Sequence, residues 1–301
     1  MERAMQQNGE PMIIAIASGK GGTGKTTVAV NLALSLSNVQ VLDCDVEEPN
    51  SHIFLNPVIE EIKPAYTLVP RVNYDFCDYC GKCAAACEYN ALVVVPQKEV
   101  MVFPELCHGC GLCSLVCPQD AISEEPREIG VIKTGKSDDG NIDLVYGVLN
   151  IGEIMATPLI DQVKADIDPE KTVIIDVSPG TACPVIAAMQ GSDYCILVTE
   201  PTPFGLYDLR LAVEVLRVLK IPFGIVINKA GIGDRKVYEY CEKERIPILL
   251  EIPHDTRIAR YYSEGVPFVK VMPEWKERFA GIIDSIYRTT RLHKIYTEER
   301  K

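Results

Sequence analysis

The chain has 301 residues, 47% of them hydrophobic, enough to bury the core of one large or two smaller domains. A formal net charge of −12 argues against non-specific nucleic-acid binding, which needs a basic surface to displace counterions. No apolar run is long enough to span a bilayer, and the polar stretch Met1 to Pro11 lacks the apolar segment of a signal peptide, so a cytoplasmic protein is expected. Twelve cysteines without an export signal point to metal binding rather than disulfides.

Met12 to Ala17 reads as a buried strand, and Thr27 to Leu36, apolar at helical spacing, as a helix. Between them runs Gly19-Lys20-Gly21-Gly22-Thr23-Gly24-Lys25-Thr26-Thr27, which satisfies the phosphate-loop pattern G-x-x-x-x-G-K-[ST] in its proper strand-to-helix context. Glycines let backbone N–H groups turn onto phosphates, and the helix N-terminus adds partial positive charge. Lys25 is expected to reach the β- and γ-phosphates, with the Thr26 hydroxyl on Mg²⁺. A second strand, Val39 to Leu42, leads into Asp43-Cys44-Asp45.

From Arg71 to Glu125 the composition changes. Eight cysteines fall here in two runs, Cys77, Cys80, Cys83, Cys87 and Cys107, Cys110, Cys113, Cys117, each with the x2, x2, x3 spacing of a bacterial ferredoxin. In such repeats each run supplies the other's fourth ligand. One 4Fe–4S cluster would then take Cys77, Cys80, Cys83 and Cys117, and the other Cys107, Cys110, Cys113 and Cys87. Small residues such as Gly81, Gly109 and Gly111 suit loops folded tightly around a cube. Zinc, the other use of paired C-x2-C, suits four-cysteine runs of this spacing poorly. Glu88 follows Cys87 where the repeat would carry proline, and His108 reads as a solvated loop residue. Eight acidic residues against three basic ones make the insert acidic, which suits a basic redox partner or a solvated surface equally.

After the insert, Glu128 to Val148 reads as a hairpin turning at Asp138-Asp139-Gly140-Asn141, and Gly152 to Ala165 as a helix. Thr172 to Asp176 is an apolar strand ending in aspartate, expected near Mg²⁺. Strands Tyr194 to Thr199 and Phe223 to Ile227 flank a helix from about Phe204 to Leu219, so a parallel sheet with helices on both faces is expected. Asn228-Lys229 begins like a guanine-reading motif, but Gly231 leaves no carboxylate for guanine, which favours adenine. Pro273 to Thr290 reads as a terminal helix whose stripe Trp275, Phe279, Ile282, Ile283, Ile286 packs on the core; its basic residues Arg288, Arg291 and Lys294 are too sparse for stable membrane anchoring.

The extra lysine in Lys20-Gly21-Gly22-Thr23-Gly24-Lys25-Thr26 resembles the deviant phosphate loop of the MinD/ParA/Mrp superfamily, to which the nitrogenase iron protein also belongs. The resemblance covers essentially the whole chain. It implies an α/β, mostly parallel P-loop NTPase over 1–70 and 126–301, with a two-cluster ferredoxin-like α+β domain inserted at 71–125. It further implies that ATP is bound across a nucleotide-dependent homodimer, Lys20 reaching the partner's nucleotide. Asp45 matches the aspartate that orients the attacking water and helps hold Mg²⁺, and Val177 to Thr181 matches the second switch. Asn228 and the loop Ile252-Pro253-His254-Asp255 would flank adenine. Cys183, seven residues after Asp176, matches the position of a cluster-bridging cysteine in the nitrogenase iron protein. A cube takes four thiolates and Cys183 brings two per dimer, so a buried structural cysteine is expected there, as at Cys44, Cys195 and Cys241.

Three functions follow from these features. The first is ATP-gated electron transfer from two 4Fe–4S clusters to a protein partner. The second is delivery of clusters to apo-proteins by an Mrp-type carrier. The third is a positioning ATPase with structural clusters. Two internally ligated clusters, and no C-x2-C outside the insert, favour the first.

Overall fold

The structure is a computed structural model that describes residues 11–298, with side-chain surroundings in the last helix given through residue 288. The N-terminal ten residues, and the side chains of Arg291 and Lys294, lie outside the described residues. In chain order, β1 (Ile13–Ala17) leads through the phosphate loop into α1 (Lys25–Ala33), and β2 (Val39–Asp43) into α2 (Ser51–Leu55). The cysteine-bearing insert is framed by two long strands, β3 (Val58–Val72) and β6 (Ile122–Lys136). Between them lie α3 (Lys82–Ala86), the hairpin β4 (Leu92–Val95) and β5 (Glu99–Val102), and α4 (Leu112–Leu115). The chain continues through β7 (Ile142–Leu149), α5 (Thr157–Lys164), β8 (Thr172–Asp176), α6 (Cys183–Met189) and β9 (Tyr194–Thr199). It closes with α7 (Pro203–Leu219), β10 (Phe223–Ala230), α8 (Lys236–Glu244), β11 (Ile248–Pro253), α9 (Thr256–Ser263), α10 (Phe268–Val271) and α11 (Glu274–Glu298).

Nine strands form one sheet in the order β11-β10-β9-β1-β8-β2-β7-β6-β3. All are parallel from β11 to β7, whereas β6 and β3 add antiparallel. The central strands are apolar on both faces because helices cover both. In β1, Ala15 and Ala17 face one core with α5 to α8, while Ile14 and Ile16 face the other with α1 and α9 to α11. β1 sits where the connections reverse direction, so its C-terminal end opens onto the crevice in which α/β sheets bind ligands.

Sequence and structure part company in three places. The helix expected from Gly152 starts only at Thr157, because Gly152 adopts φ 85° and the chain needs the intervening loop to turn back onto β7. β3 carries no readable period: its first seven residues are exposed, and Pro64 and Pro70 interrupt it. Its strand character comes from pairing with β6, rung by rung from Val58↔Lys136 to Val72↔Ile122. The expected insert limits at Arg71 and Glu125 therefore fall inside a continuous ribbon, and the cysteines lie beyond its last rung.

Trp275, Phe279, Ile282 and Ile286 of α11 are buried in the same core as α1, with Phe279 and Phe268 ring centroids 5.8 Å apart. Among the described residues no helix is long and apolar enough to cross a membrane. Phe279→Ala is expected to lower stability by about 3–5 kcal/mol. Denaturant unfolding measures this, and an unchanged midpoint would show that the helix does not close the core.

Candidate functional site

The phosphate loop is braced at both ends, while Gly21 and Gly22 between them are exposed. A Cβ on Gly19 would lie 2.3 Å from the Asp208 carbonyl oxygen in α7, so α7 packs on the loop with no room for a side chain. Gly24 caps α1 at φ 95°, and there a Cβ would meet the Asn228 amide nitrogen at 2.4 Å. The Asn228 Nδ2 donates to the Thr23 carbonyl at 2.8 Å, while its Oδ1 accepts from the Lys229 N–H at 2.9 Å. Asn228, expected beside a base, thus braces the loop in this structure. Pro253 ends β11 opposite Ala230, one strand further along the same crevice. The second switch is tied to the loop by the Gly180 N–H, which donates to the Ser18 carbonyl at 3.0 Å.

Lys25 is buried within the field of three carboxylates, Asp176, Asp45 and Asp43. Burial pulls its pKa down while those charges pull it up. One cation against three acids leaves an excess of negative charge in a low-dielectric site. Burial pushes Asp176 up to about 8 and Asp43 to about 6, and Asp45 is raised for the same reason. Asp176 Oδ1 is buried without a hydrogen-bond partner, its Oδ2 accepts from Ser51 Oγ at 3.3 Å, and Thr26 hydrogen-bonds to the same carboxyl. An orphaned carboxylate oxygen beside a threonine hydroxyl, within a surplus of negative charge, fits a hard divalent cation such as Mg²⁺.

Two residues outside the expected set organise this site. Asp43, fully buried, accepts the backbone N–H groups of Asp45 at 3.0 Å and of Asn50 and Ser51 at 2.9 Å, fixing the loop that carries Asp45. Its place at the C-terminal end of a central parallel strand was the available signal. Glu200 lies between Lys20, whose Nζ is 3.4 Å away, and Lys229, with which it is also paired. Lys20 is therefore held by an acid of its own chain. No motif marks Glu200, because its partners are remote in sequence.

The cysteine runs repeat in three dimensions. Gly81 and Gly111 start α3 and α4 with φ 76° and 70°, and Asn90 and Asp120 turn the chain with φ 54° and 48°. The Ala91 N–H donates to Cys87 Sγ and the Ala121 N–H to Cys117 Sγ, both at 3.3 Å. Cys77, Cys80, Cys83 and Cys117 line one recess with Val72, Val94, Val100 and Ile122. The Cys83 thiol feels Cys117 and Cys77, and the Cys107 thiol feels Cys110 and Cys87, so each fourth cysteine stands with the other run. Burial pushes Cys113 up to about 11, so thiolate there needs a cationic partner. The apolar walls, the N–H groups aimed at sulfur and the crossed sets of four fit 4Fe–4S cubes. Among the described residues no three His, Cys, Asp or Glu side chains converge tightly enough for a single metal ion. His108 is not simply solvated: it stacks on Tyr89 at 3.3 Å between centroids. Cys44, Cys195 and Cys241 are buried as expected, whereas Cys183 is exposed at the start of α6.

Comparison with known proteins places these features in context. The family model for the CobQ/CobB/MinD/ParA nucleotide binding domain matches residues 14–268. An uncharacterized protein of Methanocaldococcus jannaschii is 31% identical over 274 residues, covering 87% of this chain and 93% of that protein. The iron-sulfur cluster carrier protein of Pyrococcus abyssi is 25% identical over 281 residues, covering 85% and 78%. Among solved structures, the septum site-determining protein MinD from Pyrococcus horikoshii, complexed with Mg-ADP, shares the fold at a TM-score of 0.54 and 22% identity, covering 92% of this chain and 96% of that one.

Lys25→Ala is expected to abolish ATP binding, read by equilibrium titration with a fluorescent nucleotide. Asp45→Ala should keep binding but slow hydrolysis by about 100-fold; hydrolysis at the original rate would remove Asp45 from the reaction. The raised Asp176 and Asp43 values mean that the metal-free folded state holds more protons than the unfolded chain. The stability they contribute is present below the ordinary carboxylate range and lost as pH rises through about 6 and 8. A divalent cation competes with those protons, so Mg²⁺ affinity should climb across the same window and flatten in Asp176→Asn. Mg²⁺ titration by calorimetry in two buffers of different ionisation enthalpy checks this, and proton release of zero would contradict it.

Proposed function

Because the chain belongs to the CobQ/CobB/MinD/ParA nucleotide-binding family and is an ATPase of the MinD/ParA type, we propose that it handles iron–sulfur clusters under the control of ATP, delivering them to apo-protein partners. The carrying observation is the crossed gathering of eight cysteines at the tip of a ribbon that grows from the ATPase sheet. Cys77, Cys80, Cys83 and Cys117 take one 4Fe–4S cluster, and Cys107, Cys110, Cys113 and Cys87 the other. The name of the Pyrococcus abyssi relative, which matches across most of the chain, supports delivery as the use of these clusters.

On this reading, residues 19–27 cradle ATP, Lys25 on the terminal phosphates. Thr26, Asp45 and Asp176 hold Mg²⁺, and Asp45 orients the attacking water. Pro253 bounds the adenine side, and Asn228 keeps the loop in register beneath it. ATP closes a homodimer when Lys20 leaves Glu200 for the partner's nucleotide. The ribbon carries that change outward, since β6 adjoins β7 and β7 adjoins β2, the strand ending in Asp43.

Electron transfer from two retained clusters is the second reading. What favours it is that each set of four cysteines is complete within one chain, with no C-x2-C outside the insert for a cluster shared between protomers. A positioning role rests on the fold likeness alone.

Anaerobic preparations are expected to hold about eight irons per chain. Cys117→Ser should damage the cluster of the first run although it lies in the second. With iron-labelled protein and an apo-ferredoxin acceptor, ATP-stimulated movement of iron supports delivery. Iron that stays bound while ATP alters electron flow to a one-electron acceptor would instead establish the second reading.

A further inference from the structure

The two cysteine sets are alike in exposure: in each, one thiol is buried, two are half-buried and one is exposed. Their surroundings differ. The loop from Cys107 to Gly109 packs back on the ribbon, where a Cβ on Gly109 would lie 2.8 Å from Thr67 Oγ1 and 3.2 Å from the Leu68 carbonyl oxygen. Thr67 pairs across the ribbon with Arg127. The Arg127 Nη1 donates to Glu153 at 2.6 Å, in the loop that follows β7, and the Glu153 side chain is only 3% exposed. The guanidinium's Nε and Nη2 are buried with no partner, and its charge reaches the Cys107 thiol. The side chain as a whole is half-buried, 23% exposed, and two buried donors left unused call for an anion.

Other differences run the same way. Each set has one N–H bond to its fourth sulfur, Ala91 to Cys87 and Ala121 to Cys117, but the second adds a bond within its own loop, the Gly109 N–H to Cys107 Sγ at 3.4 Å. In the first, the Cys80 N–H donates instead to the Asp78 carboxylate at 3.1 Å, and Gln119 caps that carboxylate at 3.3 Å. The equivalent residues in the second set are His108 and Tyr89, a stacked pair. Lys82 near the first set, and Glu88 and Glu124 near the second, act oppositely, but from exposed positions where water screens them. Positive charge and N–H bonds to sulfur favour the reduced, more negative state of a cluster.

We infer that Arg127 is the charge partner of the cluster held by Cys107, Cys110, Cys113 and Cys87, and makes it the more readily reduced of the two. This rests on the cluster-binding reading above. A single electron on the chain then sits on the cluster that packs against the ribbon, joined through Arg127 and Glu153 to the ATPase domain.

The test is an anaerobic titration with dithionite, which gives each cluster one electron, followed by electron paramagnetic resonance. Signals are assigned by their loss in Cys80→Ala or Cys110→Ala. Wild type should show two midpoints, with the second set reduced first. The double variant Arg127→Gln/Glu153→Gln removes the ion pair without stranding either charge. It should shift the reduction equilibrium of the second cluster at least tenfold toward oxidation, about 59 mV for one electron. The first cluster should stay within about threefold. Should that variant lose its clusters, Arg127→Lys keeps the ion pair but removes the spare donors, and a shift of about threefold in the same direction is expected. Equal midpoints in wild type, or an unmoved second cluster in the variants that keep iron, would overturn the role of Arg127 and leave cluster binding intact. Wild-type protein without two 4Fe–4S signals would instead refute cluster binding itself.

Discussion

One buried lysine, Lys25, feels three carboxylates near the C-terminal ends of β2 and β8, and that charge imbalance governs the centre of the ATPase site. Asp43 and Asp176 are buried where ionisation is costly, so they hold protons or await a cation. The backbone N–H groups of Asp45, Asn50 and Ser51 compensate part of the cost by closing on Asp43, and in doing so they shape the loop after β2. Asp176 has no comparable compensation at Oδ1. On the proposed reading a metal–nucleotide complex would supply what is missing, the cation satisfying the acids and the phosphates engaging Lys25 and the loop N–H groups.

The same strands connect that site to the insert. β2 neighbours β7, and β7 neighbours β6, which runs out of the ATPase sheet without interruption. A two-stranded ribbon alone is marginal. This one is steadied where Ala65, Ile129 and Ile132 enter the main core with α5 and where Gln162 bonds Tyr66 at both its N–H and its carbonyl. Beyond Val72↔Ile122 only a small core of Leu92, Val100, Ile122 and two cysteines remains. So little apolar packing leaves the tip dependent on whatever its eight thiols hold, and iron–sulfur cubes would contribute structure as well as chemistry.

Glu200 adds a second electrostatic arrangement beside the first. Its side chain, 10% exposed, is shared by Lys20 and Lys229, so moving Lys20 elsewhere leaves Glu200 still paired. Release of Lys20 is thereby less costly than breaking an isolated half-buried pair.

What was legible in the sequence was whatever depends on local spacing. Gly19 to Thr27 needs only a strand before it and a helix after it, and the cysteine runs need only their intervals, because a loop closing on phosphate or on a cube restricts the nearest few residues. The apolar runs at β1, β2, β8, β9 and β10 were readable because strands buried on both faces carry no polar alternation. The framing strand β3 was not, since an exposed edge interrupted by prolines takes its conformation from β6 rather than from its own residues. Asn228 bracing Thr23, Glu200 between two lysines, and Arg127 paired with Glu153 were equally hidden. Each joins residues remote in sequence, and only the folded sheet brings such charges and amides within reach of one another.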